Sequence, residues 1–110
     1  MTDKIVVLST CASREQAESI ARRLVERQLA ACVNLLGGAE SVYRWRGALE
    51  QASEWLLIIK TRRVLFDALR AEIEKVHTYE VPEVLALAVV DGSPAYLQWL
   101  DQELRLEPGG

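Results

Sequence analysis

Apolar residues recur along this chain in two rhythms, short continuous runs and helical stripes. Ile5-Val6-Val7-Leu8 is a β-branched run that predicts a strand buried on both faces. Ser13 stands three positions before Gln16, the spacing of a capping box. Ala17, Ile20, Ala21, Leu24 and Val25 then follow at helical intervals, with Arg22, Arg23, Glu26 and Arg27 on the other side. This predicts an amphipathic helix with one buried stripe. Ala30 to Leu36 begins a second strand, which Gly37-Gly38 bends or bulges because glycine accepts positive φ. The strand resumes through Ser41 to Arg46, with Tyr43 and Trp45 pointing one way and Arg44 and Arg46 the other. Gly47 marks a turn, and Trp55 to Thr61 reads as a third strand, which makes a long hairpin.

A second helical stripe carries Val64, Leu65, Ala68, Leu69, Ile73 and Val76. It must stop before Pro82, since proline disfavours helix at the residue ahead of it. Val84 to Val90 predicts a fourth strand, ended by Asp91-Gly92. Ser93-Pro94 supplies an N-cap and a proline at the first helical position, and Leu97, Leu100 and Leu104 line a last helix. Pro108-Gly109-Gly110 predicts a frayed tail. The order β-α-β-β-α-β plus a terminal helix predicts an α+β, ferredoxin-like sandwich with an antiparallel sheet and both main helices on one face. The other face stays uncovered in a monomer, although its strands are apolar on both sides. A second copy of the chain is the simplest cover.

Length confines the chain to a single domain over residues 1–110, with half of its residues apolar. Lys plus Arg number 13 and Asp plus Glu 16, for a net charge of −3. An acidic balance of this kind argues against phosphate-backbone binding, so no nucleic-acid partner is expected. No apolar run approaches the ~20 residues that cross a bilayer, and no membrane partner is expected. Met1 to Lys4 lacks the basic and apolar pattern of a signal peptide. Cys11 and Cys32 are too few for a disulfide framework and lack C-x-x-C spacing. They read as reduced thiols of a cytoplasmic protein.

Candidate chemistry concentrates at His77, the only histidine. A neutral imidazole suits copper or zinc, and Glu80 and Glu83 lie close enough in sequence to add oxygen ligands. The competing role is packing or hydrogen bonding at the end of the second helix, where a positive charge suits the dipole. Tyr79 and Pro82 form either a rigid turn or the lining of a cleft. Tyr43, Trp45 and Trp55 fit a subunit interface better than a nucleobase platform. An enzymatic alternative, a small isomerase or cofactor-free oxygenase, would use His77 as its base. No nucleophile-base pair, glycine-rich phosphate loop or metal-hydrolase spacing accompanies it. An RNA-recognition module shares this strand order, but Ile5 to Leu8 carries no aromatic residue and Trp55 stands alone.

Three segments carry a resemblance. They are Leu29-Ala30-Ala31-Cys32-Val33-Asn34, Ser41 to Glu50, and His77-Thr78-Tyr79-Glu80-Val81-Pro82-Glu83, with Lys60-Thr61 and Tyr96 to Leu100 as weaker support. In this order they resemble the CutA family of divalent-cation tolerance proteins. The resemblance implies a non-enzymatic, ferredoxin-like homotrimer joined through the long hairpin and sheet edges, similar in architecture to PII-type signalling proteins. It also implies a role in the response to copper and other divalent ions, with no cofactor required and with metal or a small ligand bound at clefts between subunits. Some bacterial members carry a cysteine at the end of the first strand and paired histidines before the tyrosine-proline motif. Here Ser9 and Val76 stand at those positions, and Thr78 stands where proline is frequent. Weak Cu²⁺ binding is therefore the expectation.

Overall fold

The computed structural model describes residues 1–109, and Gly110 of the expected tail lies outside the described residues. Four strands form one antiparallel sheet in the order β2-β3-β1-β4, from β1 (Lys4–Cys11), β2 (Cys32–Trp45), β3 (Ala48–Arg62) and β4 (Leu85–Ala88). Helices α1 (Arg14–Glu26), α2 (Phe66–Val76) and α3 (Pro94–Glu103) complete the α+β, ferredoxin-like arrangement.

Residues opposite each other across a ladder share a face. Ile5, Val7, Ser9 and Cys11 lie opposite Thr61, Ile59, Leu57 and Trp55, and this set points towards α1 and α2. Ile20 and Leu24 of α1 and Leu69 and Ile73 of α2 are fully buried in the same core. Each such aliphatic side chain contributes roughly 1.5–3 kcal/mol relative to exposure. Ser13 caps α1 as its spacing predicts, its side chain accepting the Gln16 N–H. Arg23 donates to Glu72 and ties α1 to α2, with Arg27 at 3.5 Å from the same carboxylate. That hydrogen bond from Arg23 opposes the effect of burial and holds the Glu72 carboxyl below its usual value.

The opposite face carries Val6, Leu8, Leu56, Ile58, Leu36, Leu85 and Leu87. Helix α3 lies over one end of it: Asp101 pairs with Lys4 at 3.1 Å and with Arg62 at 3.7 Å, and Arg62 donates to the Arg105 carbonyl. Burial by itself would lower the Lys4 ammonium, but its hydrogen bonds to Asp3 and Asp101 prevail and raise it. Among the described residues no other helix covers this face.

Several boundaries differ from the sequence reading. Strand β1 extends to Cys11, so both of its halves alternate: Ile5 and Val7 are buried while Val6 and Leu8 are only half-buried. It is not buried on both faces. Strand β3 starts at Ala48 rather than Trp55, because its polar first half is held by pairing with β2. The second stripe opens as a 3-10 turn at Arg63–Leu65, which rotates Val64 outward to 54% exposure. Strand β4 is shorter than expected and exposed throughout, as an edge strand with small alanines on its inner side. Ser93 makes no side-chain cap, and Pro94 alone sets the start of α3. At the expected tail, the Pro108 carbonyl accepts from Arg105 at 2.9 Å.

The hairpin turns on Arg46 and Gly47 at φ of 50° and 82°. Two successive positive φ values match the twist of the flanking strands. Gly38, at φ 81°, sits in the register shift between Leu36 and Ala39. Beyond that bulge the pairing of β1 with β3 has ended at Cys11 opposite Trp55, so the outer hairpin consists of two strands alone.

Candidate functional site

A groove of about 730 Å³ opens where the outer hairpin, the end of β1 and the segment after α2 meet. The hairpin brings Ser41, Val42, Tyr43 and Trp45 from β2. Glu54 follows from β3 through its pairing with Ala39, which puts it on the same face as Tyr43. The segment after α2 supplies Thr78, Tyr79, Glu80, Val81 and Glu83, and β1 supplies Thr10.

His77 builds this wall. It is the first extended residue after α2, and its N–H still bonds the Ile73 carbonyl at 2.9 Å. Its Nε2 lies 2.8 Å from the Thr10 carbonyl oxygen, so that nitrogen carries the proton and donates. Its Nδ1 accepts the Tyr79 N–H at 3.0 Å. The ring is thus a two-sided clamp between the end of β1 and the turn that follows. It does not project into the groove lining.

Tyr79 is placed by that turn, and its hydroxyl donates to Glu54 Oε2 at 2.6 Å. Burial, reinforced by this bond and by the charge of Glu54, raises the phenol well above its ordinary value, so it stays protonated. Glu54 itself is only 7% exposed. At the rim, Arg46 donates to Glu80 Oε2 at 2.7 Å while its guanidinium lies 5.3 Å from the Trp45 ring centroid. Gln16 and Thr78 exchange hydrogen bonds and join α1 to the same segment.

The structure separates residues that the sequence grouped. His77, Glu80 and Glu83 form no ready ligand set: both imidazole nitrogens are engaged and Glu80 is paired with Arg46. Among the described residues no group of three or more His, Cys, Asp or Glu side chains is placed to hold a metal ion. Pro82 is half-buried but lies outside the groove lining, whereas Tyr79 lines it. Tyr43 and Trp45 are exposed at 43% and 39%, but Trp55 packs on the chain's own core beside Gly37, beneath Arg14. Cys11 is buried, its thiol 3.5 Å from the Ser13 carbonyl and raised by desolvation, and Cys32 is half-buried. Both are free thiols. Glu54 was missed at sequence level. The pairing of a bulged strand was needed to place it, and no local motif announces it.

No helix among the described residues is long and apolar enough to cross a membrane. Residues 5–103 match the family described as CutA1 divalent ion tolerance protein. The chain is 46% identical over 101 residues to the chloroplastic Protein CutA of Arabidopsis thaliana, covering 92% of this chain and 56% of that protein. It is 45% identical over 95 residues to the divalent-cation tolerance protein CutA of Thermus thermophilus, covering 86% and 92%. It thus spans little more than half the length of the plant relative but nearly all of the bacterial one. The crystal structure of CutA from Xylella fastidiosa superposes with a TM-score of 0.92 at 41% identity, covering 94% of this chain and all of that one. With the sheet order, the long bulged hairpin and the His77 to Glu83 segment in place, the chain belongs to the CutA1 divalent ion tolerance family.

Proposed function

We propose that the chain acts as a non-enzymatic homotrimer in the cytoplasm, of the divalent-cation tolerance type, and that the groove beside Tyr79 is its ligand site at the cleft between copies. The observation that carries this reading is the open sheet face. Val6, Leu8, Leu56 and Ile58 are half-buried, Leu85 and Leu87 are exposed at 56% and 50%, and α3 covers only one end. A continuous aliphatic layer of this kind is stabilised by a partner surface, and a closed ring of identical chains supplies one. Tyr43 and Trp45 on the outer hairpin extend the same contact. The central strands offer aliphatic rather than aromatic residues on this face, which disfavours base stacking. His77 has no lone pair to spare as a general base while it receives the Tyr79 N–H, which disfavours the enzymatic reading. Two free thiols fit a reducing compartment.

Cu²⁺ binding is weak on this reading, because coordination through His77 has to displace one of its two hydrogen bonds. Light scattering on the full chain is expected to report about three times the 12.4 kDa protomer mass. A stable monomer at micromolar concentration overturns the assembly. Calorimetric titration with Cu²⁺ is expected to give weak binding that His77→Ala reduces further. Tight binding indifferent to that substitution means that other ligands hold the ion.

A further inference from the structure

We propose that the groove takes an organic cation, an amidinium or guanidinium carried on a flat apolar body, with Glu54 as its counter-ion and Tyr43 and Trp45 as its aromatic walls. The proposal rests on the groove being a ligand site and goes further by naming the ligand's chemistry. The first observation is the state of Glu54. Its Oε2 is taken by Tyr79, its Oε1 makes no side-chain hydrogen bond among the described residues, and the residue lines the groove. A carboxylate only 7% exposed, with one oxygen left to the groove, favours a positively charged donor. The second is the sign of the lining, which holds the carboxylates of Glu54, Glu80 and Glu83 and no lysine or arginine.

The third observation is independent and already occupies the rim. The chain's own Arg46 places a guanidinium 5.3 Å from the Trp45 ring centroid and bonds Glu80 at 2.7 Å. That is a planar cation held by one aromatic face and one carboxylate of the lining. A guest in the interior repeats the arrangement with Tyr43 and Glu54. Planar delocalised cations are weakly hydrated and present donors in a fork that a carboxylate accepts, so they match such a wall better than a compact hydrated ion does. The Tyr79 hydroxyl fixes the orientation of the carboxylate, and the hydroxyls of Ser41 and Thr10 add acceptors for the remaining N–H groups.

The test is calorimetric titration of the full chain with benzamidine and with its neutral isostere benzamide, with light scattering on the same samples. Benzamidine is expected to bind at least about tenfold more tightly than benzamide, and Glu54→Gln to weaken benzamidine binding by about tenfold with benzamide unaffected. Equal affinities, no benzamidine binding at millimolar concentration, or benzamidine binding unchanged in Glu54→Gln each overturn the inference. Should Glu54→Gln fail to fold, selectivity for benzamidine over benzamide in the unaltered chain supports the inference, and its absence overturns it. A trimer that ignores benzamidine overturns this inference and leaves the assembly intact. A monomer that binds benzamidine through Glu54 does the reverse.

Discussion

The hydroxyl of Tyr79 lies 2.6 Å from Oε2 of Glu54, joining the segment after α2 to the outer half of β3. Tyr79→Phe removes the donor and leaves a nearly buried carboxylate without it. A loss of about 1–3 kcal/mol is expected, read as a lower urea midpoint with an unchanged slope. An unchanged midpoint shows that water replaces the phenol without cost.

Gly37 is held to its identity by a neighbour rather than by its backbone. A Cβ there comes within 2.7 Å of Cζ2 of Trp55, inside any tolerable contact. Gly37→Ala is expected to cost about 1–3 kcal/mol through overpacking, and Trp55→Phe in the same chain to recover part of it. Additive losses in the double variant place the strain elsewhere.

Ser9 is fully buried among aliphatic side chains, and its Oγ has no hydrogen-bond partner among the described residues. Ser9→Ala deletes that hydroxyl and keeps the packing volume close to constant. It is expected to raise stability by about 1 kcal/mol in chemical denaturation. A drop in stability reveals that the hydroxyl has a bonded water.

Two ion pairs set opposite limits on the pH range of stability. Glu72 has a folded value below its usual 4.5, so its contribution is complete above 4.5 and is lost as pH falls through the depressed folded value. Lys4 is raised above 10.5, so its contribution is complete below 10.5 and is lost as pH climbs through the folded value. Urea midpoints across pH are expected to fall less steeply on the acid side in Arg23→Ala and on the alkaline side in Asp101→Asn. An acid limb that matches the parent in Arg23→Ala assigns that dependence to other carboxylates.

The periodic elements were legible because single-face burial writes itself into the sequence, as at Ile20, Leu24, Leu69 and Ile73. The capping of α1 by Ser13 and the turn at Gly47 were equally local. What escaped was long-range. Strand β3 from Ala48 to Glu54 is nearly all polar or small, and only its ladder with β2 makes it a strand. Trp55 looked like a companion of Tyr43 and Trp45, but it shares the core-facing side of β3 with Leu57 and Ile59, while the extra residue at the glycine bulge puts Tyr43 and Trp45 on the other face. The segment from His77 to Glu83 contributes Thr78 to Val81 and Glu83 to the groove, yet the use of His77 depends on the Thr10 carbonyl, which lies 67 residues away in the chain. Glu54 became visible only when Tyr79 met it.

The outer hairpin is cantilevered. Past Trp55 no third strand among the described residues lies beside it, and a bare strand pair in water is barely stable on its own. Its order is therefore borrowed from whatever grips it, which within one chain is the handhold of Glu80 on Arg46 and of Tyr79 on Glu54. The arm works as a gauge: amide exchange along Ala39 to Glu54 rises or falls with the occupancy of the space beneath it, while the four-stranded body behind stays silent.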